Sequence, residues 1–481
     1  MADTPRPFGM GKAWVKRWSP KVPKGKGSLV HALRVHPPDR LEAMQWDLPP
    51  SKSHAIRWLV LAAQSAQETI LHGMQDAGQD VVSMRRCLTQ LGVSFTDLDS
   101  DGAACYVASN VDDQPSPNSV AWKVHGVGKD GLHPPVSVLH AGNSGTTLRL
   151  LMALVAQFDV PVMLDGDASL RSRRYPAMLE AMDQLGVKRS HGLDEEGLPL
   201  LLEGPVPAAC SLNLDISKSS QPLTAWLLTA PSRPATIELR AKGTPVSRRH
   251  SQLSMDLCER TGAPDTLSET VGPWEVNIPQ NQVGIPRDAS MLAFAYLASV
   301  ATGVRVQVSE FPAVEESLGH EVLMEHARAL GVDLTEGSLT SNGNGAYLDL
   351  DLRDANDLIT PVAAMMALGA GGVLRGAAHA AHKETNRLSG TQAMLDHFGI
   401  RVNLTPDGME IPGGQQLRQP EGMVPTFGDH RLQMTALNLA MGCQKEVLIE
   451  GSSLHTVADP TAVDRWQAAG VEIEAFLHQP S

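Results

Sequence analysis

The sequence predicts an α/β protein organised as two large domains and six similar units. Three observations carry that expectation. The chain has 481 residues, too many for one ordinary hydrophobic core. Six Ala- and Leu-rich segments recur along it, each preceded by a turn of Gly, Ser, Asp or Pro and a polar triplet. Between them lie short β-type runs and a second, more polar helix, the alternation expected of α/β folds.

Composition narrows the class further. With 42% hydrophobic and 19% charged residues the chain reads as globular. Aromatics make up only 4%, so Ala, Leu, Val and Met must pack the core, which suits closely approaching helices. A net charge of −13 argues against a nucleic-acid partner but leaves room for a local basic cluster that binds a small anion. Five cysteines, scattered and without CxxC spacing, point away from disulfides and zinc and towards a reducing, cytoplasmic setting. The longest apolar runs, such as Ile359 to Leu368, fall far short of the ~20 residues of a membrane span. Residues 1–30 carry Lys12, Lys16, Arg17, Lys21, Lys24 and Lys26 without an apolar stretch, so they read as an N-terminal extension and not as a secretory signal.

The six segments begin at Pro49, Gly142, Lys218, Pro286, Asp354 and Phe427. They lie roughly 70 to 90 residues apart, room for two helices and several strands per unit. In each, the polar residues crowd the turn entering the helix, where free N–H groups and the helix dipole favour anions. Six such starts facing one cleft would suit a multiply charged ligand. The second helices, AMLEAMDQLGVK after Pro176 and AMLDHFGIRV after Gln392, each stop at a Gly before a strand.

The same turns carry a family resemblance, in order, from about Leu33 to the C-terminus. LPPSKSHAIR, HAGNSGTTLR, DGDASLRSR, SSQPLTAWLLTAP, AAHKETNRL and FGDHRLQM resemble six successive motifs of the 5-enolpyruvylshikimate-3-phosphate (EPSP) synthase family. The resemblance implies the enolpyruvyl transferase fold. This has two domains, each of three βαβαββ units arranged as an inside-out α/β barrel, with the helix N-termini facing the interdomain cleft. The chain would cross near Pro49 and Pro286, giving one domain of 49–286 and another of 1–48 plus 287–481.

The implied reaction transfers the enolpyruvyl group of phosphoenolpyruvate to the 5-hydroxyl of shikimate 3-phosphate and releases phosphate, without metal or organic cofactor. Both substrates carry a phosphate and a carboxylate, so several cations are required to offset repulsion, and the Arg fork suits both groups. By resemblance Lys52, Ser53, Arg57, Ser219, Ser220, Gln221, Ser247, Asp357 and Lys383 bind shikimate 3-phosphate. Lys52, Asn143, Gly145, Arg173, Gln221, Arg387 and Arg431 bind phosphoenolpyruvate, with Thr146 in the same loop. Asp357 is matched to the base, Glu384 to the acid, and Lys52 to charge or proton handling. Ser53 has a second reading as a helix cap. His250 reads equally as a ring-stacking contact and as a surface residue. Arg149, Arg171 and Arg248 are further cations at these turns. Gly145, as Gly and not Ala, implies room for glyphosate and hence inhibition. The resemblance further implies a monomer in the cytoplasm, free of nucleic-acid and membrane partners.

Three positions depart from the pattern. Asn386 replaces an aspartate, His379 replaces an asparagine, and the C-terminal lysine is missing from HTVADPTAVDRW, where Pro460 stands. His455 and Arg465 are the nearby residues available to replace that lysine. Three readings stay open: an EPSP synthase with a divergent C-terminal segment, an enolpyruvyl transferase for another alcohol, and a catalytically silent anion-binding paralogue.

Overall fold

The computed structural model describes residues 29–108, 113–192, 196–206, 210–264 and 270–478. Most of the basic N-terminal extension lies outside the described residues.

All six segments are helical: Lys52–Ala63, Gly145–Val155, Gln221–Leu228, Leu292–Thr302, Ile359–Leu368 and His430–Ala440. The Leu292 and Ile359 helices are apolar on nearly every side, which is the signature of a helix surrounded by protein. Residues Ile359 to Ala367 and His430 to Ala440 are buried without a break. The first three of these helices pack together, as do the last three. Ala at many contact positions lets the backbones approach closely, which is how a chain with few aromatics fills its interior.

Two hydrophobic cores result. One runs from Ala55 to Ile285; the other joins Leu33–Leu48 to Met291–Ile473. Six sheets cover them among the described residues, three on each core. The shared design is a parallel pair flanking a buried helix, followed by antiparallel strands. Leu139–His140 beside Val162–Asp165, Cys210–Asp215 beside Ile237–Lys242, and Leu348–Asp351 beside Gly371–Arg375 all follow it. Such pairs need a crossover, and the buried helix supplies it.

The remaining parallel pairs are exchanged between the halves. Met44–Trp46, which precedes the Lys52 helix, pairs with Val306–Val308, which follows the Leu292 helix. Gln282–Gly284, which precedes the Leu292 helix, pairs with Glu68–His72, which follows the Lys52 helix. The two crossing segments therefore lie side by side: Ser51 N–H donates to the Pro286 carbonyl at 2.7 Å, and Asp288 N–H to the Pro49 carbonyl at 2.9 Å. The polar helices Pro176–Gln184 and Arg387–His397 end as anticipated. Gly186 and Gly399 take φ of 70° and 71°, and Val187 and Ile400 N–H groups close the last turns on Met182 and Leu395 carbonyls.

Away from the crossings, the halves meet where Gly78, at the head of the Gln79–Gln90 helix, abuts the 457–458 backbone. A Cβ there would lie 2.6 Å from the Val457 carbonyl oxygen and 2.9 Å from the Ala458 Cα. Gly78→Ala should cost about 1–3 kcal/mol by overpacking, read as a lower melting temperature and a larger radius of gyration in solution scattering. Wild-type values of both would show that this contact does not hold the halves together.

Candidate active site

The starts of the buried helices converge in two trios. Gln221 links one trio, accepting from Arg149 Nη1 at 2.6 Å and donating to Thr146 Oγ1 at 3.0 Å. Arg57, on the Lys52 helix, donates to Ser254 at 2.9 Å, to Thr224 at 3.4 Å, to the His250 carbonyl at 3.1 Å and to the Ser53 carbonyl at 2.8 Å. In the other trio Arg431 reaches Ser290 Oγ at 3.0 Å and Asp357 Oδ1 at 3.4 Å. The trios face each other, since Lys52 N–H points at Asp288 Oδ2 at 3.4 Å.

Arg387 occupies the centre of the second trio. Its guanidinium donates to Asp357 Oδ1 at 2.5 Å, to Asp429 Oδ2 at 2.8 Å and to Glu384 Oε2, with 1% of its side chain exposed. Asp429 serves twice, because its other oxygen caps the His430 helix through the Arg431 N–H at 2.8 Å. On the facing half Arg173 donates to Asn143 Oδ1 at 2.7 Å, Asn143 donates to Asp167 Oδ2 at 2.8 Å, and Arg173 comes within 3.7 Å of Glu384. Lys52 Nζ is 3.0 Å from Asp80 Oδ2. A cavity runs between the halves, lined by Lys52, Ser53, His250, His320, Asp357 and Arg431.

The structure thus gathers Lys52, Ser53, Arg173, Asp357, Lys383, Glu384, Arg387 and Arg431 around one cleft. Asn143, Gly145 and Gln221 stand behind Arg173: a Cβ on Gly145 would lie 2.9 Å from Arg149 Nη1 and 3.4 Å from Arg173 Nη1. Ser219 Oγ accepts from the Gln221 N–H at 3.2 Å, and Ser220 is the buried first residue of that turn. Ser247, at a φ of 51°, touches the opposite half through Asn356 at 3.5 Å. Arg57 is buried, and its bonds above commit it largely to the protein. The cap of the Lys52 helix is Ser51, so the capping role considered for Ser53 does not apply. His250 is no surface residue; its ring lies edge-on to His320 with centroids 6.4 Å apart.

Arg171 and Arg248 stay outside, half-exposed or more and paired with Asp165 and Asp354. His455 and Arg465 do not replace the missing lysine. His455 is bound to Gln433, and Arg465 lies over Trp46 and pairs with buried Asp459. Residues of the site that escaped sequence reasoning include Asp80, Asp288, Ser290, His320 and Asp429, the last within the FGDHRLQM turn. Asp288 and Ser290 sit in the PRDAS turn, whose position at a helix start was the available signal. Asp80 and His320 had none, because each reaches the cleft from an element without a cation-bearing turn.

The profile of the EPSP synthase (3-phosphoshikimate 1-carboxyvinyltransferase) family matches residues 35–466. The chain belongs to the EPSP synthase family. It is accordingly an enzyme of the transferase class. It is 28% identical over 433 residues to the 3-phosphoshikimate 1-carboxyvinyltransferase of Methanothermobacter thermautotrophicus, covering 88% of this chain and 94% of that one. It is also 28% identical over 487 residues to the Bradyrhizobium sp. (strain BTAi1) enzyme of the same name, covering 94% and 98%. Among solved structures, EPSP synthase from Acinetobacter baumannii superposes with a TM-score of 0.68 at 19% identity, over 92% of this chain and all of that one. The enolpyruvyl transferase NikO from Streptomyces tendae superposes with a TM-score of 0.64 at 14% identity, over 94% and 100%. Both likenesses establish the fold. No helix among the described residues of this EPSP synthase family member is long and apolar enough to cross a membrane.

The electrostatics of the cleft follow from burial set against charge. Burial alone would raise the Asp357 and Glu384 pKa values. Arg431, Lys383 and Arg387 outweigh it at Asp357, and Arg387 and Arg173 at Glu384, so both lie well below the ordinary carboxylate range. For Lys52 burial works downwards, and Asp80 reverses it to a net rise. For Lys383 burial wins and the pKa falls. Burial also holds the histidines of this region neutral: His54 and His379 are pushed down to about 4, and His250, His320 and His430 are lowered too.

Two predictions follow from these balances. Arg387→Gln leaves buried Asp429 without its cation and weakens the compensation of Asp357 and Glu384, and should destabilise the fold by about 3–5 kcal/mol at neutral pH. Urea unfolding should show the loss shrinking as pH falls and the carboxylates protonate; a pH-independent loss would contradict the charge argument. For the histidines the unfolded chain takes up protons below about pH 6.5 while the folded chain does not until about pH 4. Their contribution is therefore complete above pH 6.5 and lost as pH falls towards 4, at about 1.4 kcal/mol per pH unit for each histidine. A melting temperature that stays level from pH 6.5 to 4.5 would contradict this.

Proposed function

We propose that this enzyme transfers the enolpyruvyl group of phosphoenolpyruvate to the 5-hydroxyl of shikimate 3-phosphate and releases inorganic phosphate. The observation that carries the reading is the Asp357–Arg387–Glu384 group at the meeting of the helix starts, with Lys52, Arg173, Lys383 and Arg431 around it. Two trianion-sized ligands need such a surplus of fixed cations, and proton transfer needs two carboxylates within reach of the reacting atoms.

In this mechanism Asp357, ionised in the empty site, takes the proton of the 5-hydroxyl. The freed oxygen pair attacks C2 of phosphoenolpyruvate while Glu384 delivers a proton to the methylene C3. The Glu384 carboxylate then takes a C3 proton back from the resulting tetrahedral adduct as phosphate is expelled, which restores the double bond. Glu384 is also ionised in the empty site, so it becomes an acid only after ligands arrive. Substrate anions draw on the charge of Arg387 and Arg173, weakening the field that holds its pKa down. Shikimate 3-phosphate would be held by Lys52, Ser53, Arg57, Ser219, Ser220, Gln221, Ser247, Asp357 and Lys383, and phosphoenolpyruvate by Lys52, Asn143, Gly145, Arg173, Gln221, Arg387 and Arg431. Domains of 49–286 and of 1–48 plus 287–481 would close over them, in a cytoplasmic monomer.

A second reading, a catalytically silent anion-binding paralogue, draws support from Pro460, which stands where a phosphoenolpyruvate-binding lysine is expected, and from the commitments of His455 and Arg465 elsewhere. Phosphate release on mixing purified enzyme with both substrates decides between them, and its absence eliminates the first. Given turnover, Glu384→Gln and Asp357→Ala should each lower kcat about 10²–10⁴-fold while leaving the calorimetric affinity for shikimate 3-phosphate within a few-fold. Wild-type rates in either variant would remove its assigned role.

A further inference from the structure

We propose that His320 is a specificity-determining residue whose Nε2 accepts a hydrogen bond from the non-reacting hydroxyl of the acceptor alcohol; this deepens, and rests on, the reading of shikimate 3-phosphate as that alcohol. The argument begins with the tautomer. His320 Nδ1 lies 2.6 Å from the Ser317 carbonyl oxygen, an atom that only accepts, so Nδ1 carries the proton and Nε2 presents a lone pair. That Nε2 is buried and has no partner among the described residues, and the ring, 4% exposed, lines the same cavity as Lys52, Asp357 and Arg431.

An unsatisfied buried acceptor needs a reason, and a ligand donor is the simplest. The chemistry of the cavity selects the kind of donor. Phosphate and carboxylate groups repel a lone pair and have Lys52, Arg387 and Arg431 to bind them. A neutral O–H is the group that a neutral imidazole acceptor fits. Burial keeps the ring neutral, helped by Arg431, against the pull of Asp357, Asp288 and the Ser317 carbonyl.

The ring is also held in place before any ligand binds. Glu321 accepts from the Ser317 hydroxyl at 2.6 Å and from the Gly319 N–H at 2.8 Å, pinning the turn that carries it. The His250 ring, from the opposite half, stands edge-on beside it. His320 therefore completes the alcohol pocket only when the halves are together, and a pre-set acceptor discriminates by what it is denied.

The test compares shikimate 3-phosphate with its 4-deoxy analogue by phosphate release, in wild type, His320→Ala and His320→Gln. Wild type should favour the 4-hydroxyl substrate by about 10- to 100-fold in kcat/KM. His320→Ala should compress that ratio to below about threefold and leave KM for phosphoenolpyruvate unchanged, while His320→Gln, with an amide oxygen as acceptor, keeps part of it. Equal rates on both substrates in wild type overturn the inference even if no variant folds. Full discrimination in His320→Ala overturns it as well. No turnover of shikimate 3-phosphate by wild type would overturn the underlying functional reading, an outcome distinct from either.

Discussion

The site depends on a buried guanidinium, Arg387, shared by three carboxylates. Each of Asp357, Glu384 and Asp429 comes from a different turn, so the contact joins the heads of two buried helices to the turn that carries Arg387 itself. Desolvating four ionised groups is costly, and only mutual neutralisation makes it tolerable. The geometry of Asp357 and Glu384 is therefore set by charge balance before any ligand arrives. The same balance keeps both carboxylates ionised when the cleft is empty. An anionic ligand would disturb it, which on the proposed mechanism is what lets one carboxylate take up a proton.

The repeated unit explains why so many cations can be gathered in an acidic protein. Each buried helix presents its head to the cleft, where free N–H groups and a few polar side chains are all that the unit must supply. The Leu292 and Ile359 helices are apolar almost throughout and could pack nowhere but inside. Exchange of the Met44–Trp46 and Gln282–Gly284 strands then ties the halves at a pair of adjacent crossings. With the crossings on one side and Gly78 against the 457–458 backbone on the other, the heads are brought face to face.

The C-terminal segment shows how a motif departure is accommodated. Where a lysine would be expected, the chain places Pro460, preceded by Asp459, which is buried and neutralised by Arg465. This acid is thus a structural pair and adds no negative charge to the cleft. The Arg465 guanidinium, 4.7 Å from the centre of the Trp46 ring, ties this segment to the strand of the first exchange. On the proposed function, the phosphoenolpyruvate side of the cleft would be left with Lys52, Arg173, Arg387 and Arg431.

The sequence by itself determined the helices, their repeat, the Gly-terminated polar helices and the turns that carry cations, because these are local properties of periodicity, capping and composition. Lys52, Arg173, Arg387 and Arg431 were legible as cations in polar turns, and it was the family resemblance of those turns that marked them as site residues. Only the tertiary structure decided which carboxylate neutralises which cation, that Arg171 and Arg248 face solvent, that Arg465 serves Asp459, and that Asp80 and His320 reach the cleft. Those outcomes depend on contacts between residues as far apart as Lys52 and Asp288, or Arg387 and Asp429. Burial and pairing are set by such long-range contacts, and no local pattern encodes them.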